Sequence, residues 1–287
     1  MLIAVLPWAW AVGGTPVMLS LVVALGIAGS IADPNLAAIV PDLVAPEEVT
    51  GIISLMDLTE RIARVAGPGL AGVVLLAAPT DTLFVIDAAT FAVSGIALAA
   101  LTRVIAPSAA PSPITSVNGP GEKVSARVAF RANPDLRTAL AVNGFGFFLN
   151  AVPALGMPLL LVHHMHAGAD AYGAVLAASG IGALLGNAVA ARNRQTGAFV
   201  TRFCLAWAVS GLLLAATGMA PGLGWILAFS AGSGVITPII SVALRARLSL
   251  FPKPERLRLM SINFTVIRGC GTVGMAVIPA IIANAPE

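Results

Sequence analysis

Nine apolar runs dominate this sequence, at residues 1–12, 17–43, 51–78, 82–103, 137–162, 171–191, 198–218, 222–244 and 259–283. All but the first reach or exceed the roughly 20 residues with which an α-helix crosses a bilayer. Turn residues or charges bound each run. Only 10% of the 287 residues are charged, whereas 58% are hydrophobic; a soluble domain carries about 25% charged residues. One core cannot hide so much apolar surface, so the chain must face lipid. The run lengths, and the lack of alternating lumen-facing polarity, predict helices rather than barrel strands. The expected fold is an all-α integral membrane bundle of about nine transmembrane helices.

Charge then orients the bundle. All 16 Lys and Arg lie in alternate linkers or at the helix ends adjoining them, except Arg268, which sits well inside a run. The linkers at 13–16, 79–81, 163–170 and 218–221 contain none. Basic loops stay on the cytoplasmic side, so the sequence predicts a multi-pass protein of the cell membrane with its basic linkers cytoplasmic. The basic residues reflect topology, and nucleic-acid binding is not expected. Cys204 and Cys270 both fall inside apolar runs and do not form a disulfide framework.

The chain also repeats itself. The segment from Arg61 to Gly67 recurs from Arg268 to Gly274, at an offset of 207 positions. Pro46-Glu47 recurs as Pro254-Glu255 at 208, and Pro34 recurs as Pro238 at 204. Each set combines a proline-interrupted inward run, a Pro-Glu link and an Arg-headed, glycine-rich outward run. Such parallel repeats build many transporters. They divide the chain into a partial N-terminal half at 1–103, a polar cytoplasmic linker at 104–135 and a partial C-terminal half at 136–287, two pseudo-symmetric parts. By the same arithmetic, the complete architecture has twelve helices. This sequence would carry the end of the third through the eleventh, truncated at both ends.

The run PDLVAPEEVTGIISLMDLTERIARVAGPGLAGVV, followed by LFVIDAATFAVSG, resembles the major facilitator superfamily, and within it the bacterial macrolide- and siderophore-exporter branch. The family's Gly-Pro-x-x-Gly-Gly signature reads here Gly67-Pro68-Gly69-Leu70-Ala71-Gly72, with Ala71 in place of one glycine. Ser54 and Ala63 stand where the family has further glycines. The resemblance implies a secondary transporter, a drug–proton antiporter whose signature helix seals the seam between two rocking halves. Its partners would be the lipid bilayer, a small-molecule substrate and protons. No cofactor is implied, and no required protein partner is evident. The alternative reading is a truncated, non-transporting membrane fragment of such a protein.

The candidate residues follow from depth and spacing. Asp57 and Arg61 are four apart, as are Glu60 and Arg64, with acid before base, the favourable helical order. Both pairs can anchor an interface, with the arginines reaching water; alternatively, Arg61 faces a central cavity and steadies a cytoplasmic gate. Pro68 removes a helix hydrogen bond, and Gly67, Gly69 and Gly72 admit a close neighbour, which serves either a gating seam or simple close packing. Arg268, deep in its run, demands a wet cavity or a carboxylate and is the leading substrate or gating candidate. Asp33, before Pro34 and Asn35, either carries the coupling proton beside a broken helix or caps a kink. Asn143 and Asn150, seven apart on one face, either line a cavity or bond a neighbouring helix. His163, His164 and His166 cluster near Asp170, but the spacing lacks a tight ligand set and no metal site is expected. The sequence contains no phosphate-binding loop and no catalytic constellation, so an enzyme is not expected.

Overall fold

The computed structural model describes residues 2–104, 133–192 and 198–283, with side chains for 14–67, 70–100, 133–168, 170–192 and 198–281. The described elements are all helical: α1 (Leu2–Ile39), a 3-10 turn (Val40–Asp42), α2 (Val49–Ala77), α3 (Asp81–Val104), α4 (Pro134–Leu149), α5 (Ala151–Leu159), a π turn (Leu160–His164), α6 (Ala169–Arg192), α7 (Phe199–Gly218), α8 (Leu223–Ser249) and α9 (Lys253–Ala283). Most of the polar segment predicted as an inter-half linker lies outside the described residues.

Among the described residues, seven of the nine apolar runs become helical stretches long and apolar enough to cross a membrane. The other two depart for identifiable reasons. The run 51–78 is the 29-residue helix α2, but Asp57, Glu60, Arg61 and Arg64 make its first half too polar for a simple span. The run 1–12 is joined to the next through Gly14, not separated from it by a linker. Gly14 adopts φ 60° and ψ −154°, a backbone region open almost only to glycine, and puts a sharp kink inside α1.

The run 137–162 also differs from one unbroken span. The Leu149 carbonyl would accept from the backbone nitrogen of residue 153, which is proline, and the Ala154 carbonyl would accept from Pro158. Neither proline has an N–H to give. The helix accordingly divides at Asn150, and past Pro158 it loosens into the π turn, where the Met165 N–H reaches the Leu160 carbonyl at 3.2 Å. In contrast, α1 continues through Asp33-Pro34-Asn35 to Ile39. The broken helix considered there from the sequence is not formed.

The chain forms two compact units, one of Met1–Asp33 with Ala66–Thr115 and one of Pro34–Val65 with Ser116–Glu287. In the first, the described apolar side chains of α1, the end of α2 and α3 are mostly exposed, Leu70, Leu76 and Phe91 among them, as lipid-facing surfaces are. In the second, α6 packs on α8, α7 on α8, and α4 on α9. Ala38, Leu140, Phe203, Leu248 and Met260 share one buried cluster. Val40, Ile53, Ala190 and Val242 share another, which docks the start of α2 against α6 and α8.

The α6–α8 contact depends on missing side chains. A Cβ at Gly182 would overlap the Ala231 carbonyl, one at Gly186 the Val235 carbonyl, and one at Gly234 the Ser179 carbonyl. Backbone therefore meets backbone, the close approach typical of small-residue packing in membranes.

Candidate functional site

Two features of the second unit bring polar chemistry together. The first is a seam of ties between residues 42–61 and residues 187–256. Helical spacing places Asp57 and Arg61 one above the other, and the Arg61 Nε donates to Asp57 Oδ2 at 2.6 Å, with Nη2 3.4 Å from Oδ1. Asp57 is only 3% exposed, so its carboxylate must be paired to be tolerated. Helix α8 supplies the second partner, because the Ser241 hydroxyl donates to Asp57 Oδ1 at 2.8 Å. Arg61 Nη2 also lies 3.4 Å from Ser241 Oγ and closes the triangle.

Neighbouring ties reinforce it. Three residues before Asp57, Ser54 donates to the Asn187 carbonyl at 2.9 Å, and Asn187 Nδ2 donates to the Ala183 carbonyl at 3.1 Å. Glu60 pairs with Arg64 at 3.2 Å and with Arg245 of α8 at 3.6 Å. Glu60 and Arg64 are well exposed, so this pair is the weak member of the set. Asp42, at the end of the 3-10 turn, meets Arg256 at 2.6 Å and Lys253 at 3.1 Å at the start of α9. Arg256 is 4% exposed, and Asp42 supplies the opposite charge it needs. The acids thus come from the segment at 42–60, whereas the bases and hydroxyl facing them come from α8 and α9.

The second feature is a cavity of about 700 Å3 bounded by α4, α5, α6, α7 and α8. Its α4–α5 wall is apolar apart from Asn150. Its α8 wall carries the hydroxyls of Ser230, Ser233 and Thr237. Trp207 of α7 also lines the cavity, edge-on to Phe147 with ring centroids 6.1 Å apart. Its indole Nε1 is buried with no acceptor among the described residues.

The predicted site residues scatter. Asp57, Glu60, Arg61 and Arg64 meet in the seam. Asn150 lines the cavity, but Asn143 does not. It is buried, and its Nδ2 donates to Asn263 Oδ1 on α9 at 3.1 Å, the helix-to-helix use of a membrane asparagine. Arg268 is exposed on α9, and Asp33 is half-buried in the first unit; neither lines the cavity. Helix α2 runs unbroken through Gly67-Pro68-Gly69. A Cβ at Gly67 or Gly72 would meet no described atom within 4 Å, and the side-chain surroundings of Pro68 and Gly69 lie outside the described residues. His163 and His164 end the π turn, and His166 follows at φ 50°. No group of three or more His, Cys, Asp or Glu gathers among the described residues.

Sequence reasoning missed Asp42, Ser241, Arg245, Lys253, Arg256 and Asn187. The basic members had been absorbed into the topology signal. Their positions beside the second Pro-Glu link, matched against Asp42 before the first, were the available clue.

A multi-pass helical membrane protein with a buried polar seam and a sizeable cavity is the class these features define. The family described as transmembrane secretion effector matches residues 3–285. The chain belongs to that family, and with it to the membrane transporters of the major facilitator superfamily. No match emerges among curated proteins.

Proposed function

We propose that the protein is a proton-coupled exporter of small amphipathic compounds that works by alternating access in the cell membrane, with its basic linkers cytoplasmic. The Asp57–Arg61–Ser241 triangle carries this reading. It joins the Arg-headed helix of the first repeat to the proline-bearing helix of the second, next to the linkers that the charge pattern puts in the cytoplasm. A tie there closes the cytoplasmic side when formed and opens it when broken. The buried carboxylate keeps the tie specific, because Asp57 without a partner is costly to bury. Pro238, three residues before Ser241, lacks the N–H that would bond Gly234 and softens α8 where the tie must swing.

In this reading 1–103 and 136–287 act as the two moving halves. Gly67, Pro68, Gly69 and Gly72 seal the seam in the states where helices close on them. Arg268, the repeat counterpart of Arg61, serves the second gate or the substrate. Asp33 is the candidate proton carrier.

The test is accumulation of a fluorescent amphipathic dye in cells expressing the protein. Accumulation should fall with expression and recover with a proton uncoupler. Arg268→Ala should remove export while the protein still inserts. Export that ignores the uncoupler would refute proton coupling, and unchanged export by Arg268→Ala would refute that residue's role.

A further inference from the structure

The cavity is separate from the polar seam and shares no residue with it. At about 700 Å3 it falls within the range of roughly 300–1,000 Å3 occupied by small-molecule sites. None of its described lining residues is Asp, Glu, Lys, Arg or His. Its sides differ in kind. Phe145, Leu149 and Met157 on α4–α5 present hydrocarbon around the single amide of Asn150, whereas Ser230, Ser233 and Thr237 on α8 present hydroxyl oxygens, joined by Ser179 of α6 and Ser210 and Thr217 of α7. The Thr237 hydroxyl already donates to the Ser233 carbonyl at 2.7 Å, so its oxygen faces a ligand as an acceptor. The wall is also held in place, because Gly182, Gly186 and Gly234 bring the α6 and α8 backbones into direct contact.

These walls select by chemistry. An ion seated in the cavity would give up part of its hydration without finding a counter-charge on the described lining, which is costly. A pure hydrocarbon would cover the hydroxyl wall and leave its groups unmet. A neutral molecule with one oxygen-bearing face and one hydrocarbon face satisfies both walls. We infer that this cavity is a binding site for uncharged, facially amphipathic compounds, seated with their oxygens on Ser230, Ser233 and Thr237 and their hydrocarbon on Phe145, Leu149 and Met157. That such a ligand is the cargo rests on the transporter reading; that it binds does not.

Cys204 also lines the cavity and supplies a reporter. The protein carrying Cys270→Ser is placed in nanodiscs, and alkylation of Cys204 by N-ethylmaleimide is followed by mass spectrometry. Empty nanodiscs serve as the partition control for saturable binding of radiolabelled ligand. The probes are methyl cholate, a neutral steroid with its hydroxyls on one face, and cholate, the same frame with a carboxylate. Methyl cholate should bind saturably and slow alkylation about tenfold. Cholate at equal free concentration should bind at least about tenfold more weakly. Replacing the hydroxyls in Ser233→Ala/Thr237→Val should weaken methyl cholate by about tenfold, two hydrogen bonds' worth, and Asn150→Asp should raise affinity for the cation tetraphenylphosphonium.

Absence of saturable methyl cholate binding overturns the inference, as does cholate binding equally well or the hydroxyl-deficient variant binding unchanged. A charged phospholipid that is retained through purification and not displaced by methyl cholate also overturns it. Binding without uncoupler-sensitive export in cells would keep this site and remove the transporter reading. Uncoupler-sensitive export without binding here would do the reverse.

Discussion

Asp57 is a charge buried to 3% exposure, and its neighbours rank by how completely each depends on burial. Asp57→Ala strands Arg61, whose side chain is 23% exposed and can recover some hydration. The expected loss is therefore about 2 kcal/mol, below the 3–5 kcal/mol of a fully buried pair. Ser241→Ala removes one hydrogen bond to a carboxylate that keeps Arg61, for a loss of about 1.5 kcal/mol, the low end for a bond to a charged group. Glu60→Ala, in a pair open to water, should leave stability unchanged. Denaturant titration of the three variants in detergent checks this order, and Glu60→Ala proving as harmful as Asp57→Ala would contradict it. Four members of this cluster were legible beforehand. The intrahelical pairs Asp57–Arg61 and Glu60–Arg64 follow from four-residue spacing alone. Ser241, Arg245 and Arg256 reach the cluster through tertiary packing, which spacing along one helix does not encode. Asn143 and Asn150 make the same point, because one helical face sent one side chain to Asn263 and the other to the cavity once Pro153 had divided the helix.

At the scale of elements, glycine context decides the outcome. Gly182→Ala and Gly186→Ala must push apart backbones already in contact, and each should cost about 1–3 kcal/mol. Gly67→Ala meets open space within the described residues and should be neutral or stabilising by up to about 1 kcal/mol through helix propensity. Thermal unfolding monitored by fluorescence-detected size exclusion separates the two classes. If Gly67→Ala folds normally yet lowers export, the seam role proposed for the signature glycines gains support; full export would remove it. The apolar runs announced most helices, since length and hydropathy are local properties. The kink at Gly14, the division at Asn150 and the π turn before His166 were not apparent, because the first depends on one backbone angle and the other two on which individual carbonyl loses its donor. The α6–α8 seam was also missed. Its glycines are spread among alanines, and only the partner backbone makes them necessary.

For the whole molecule, the charge segregation predicts sidedness. In otherwise cysteine-free protein, His164→Cys should react with a membrane-impermeant maleimide in intact cells, and Leu250→Cys should react only after permeabilisation; the opposite pattern would invert the topology. The central claim is that the Asp57–Ser241 tie must break and re-form during each cycle. The most direct measurement pairs Asp57→Cys with Ser241→Cys in a Cys204→Ser/Cys270→Ser background, bridges them with a short thiol cross-linker that reducing agent releases, and follows dye export. The two single-cysteine variants serve as controls. Cross-linking should stop export, and reduction should restore it to the level of the untreated double variant. Export that continues undiminished through a complete cross-link would contradict the alternating-access role of the tie.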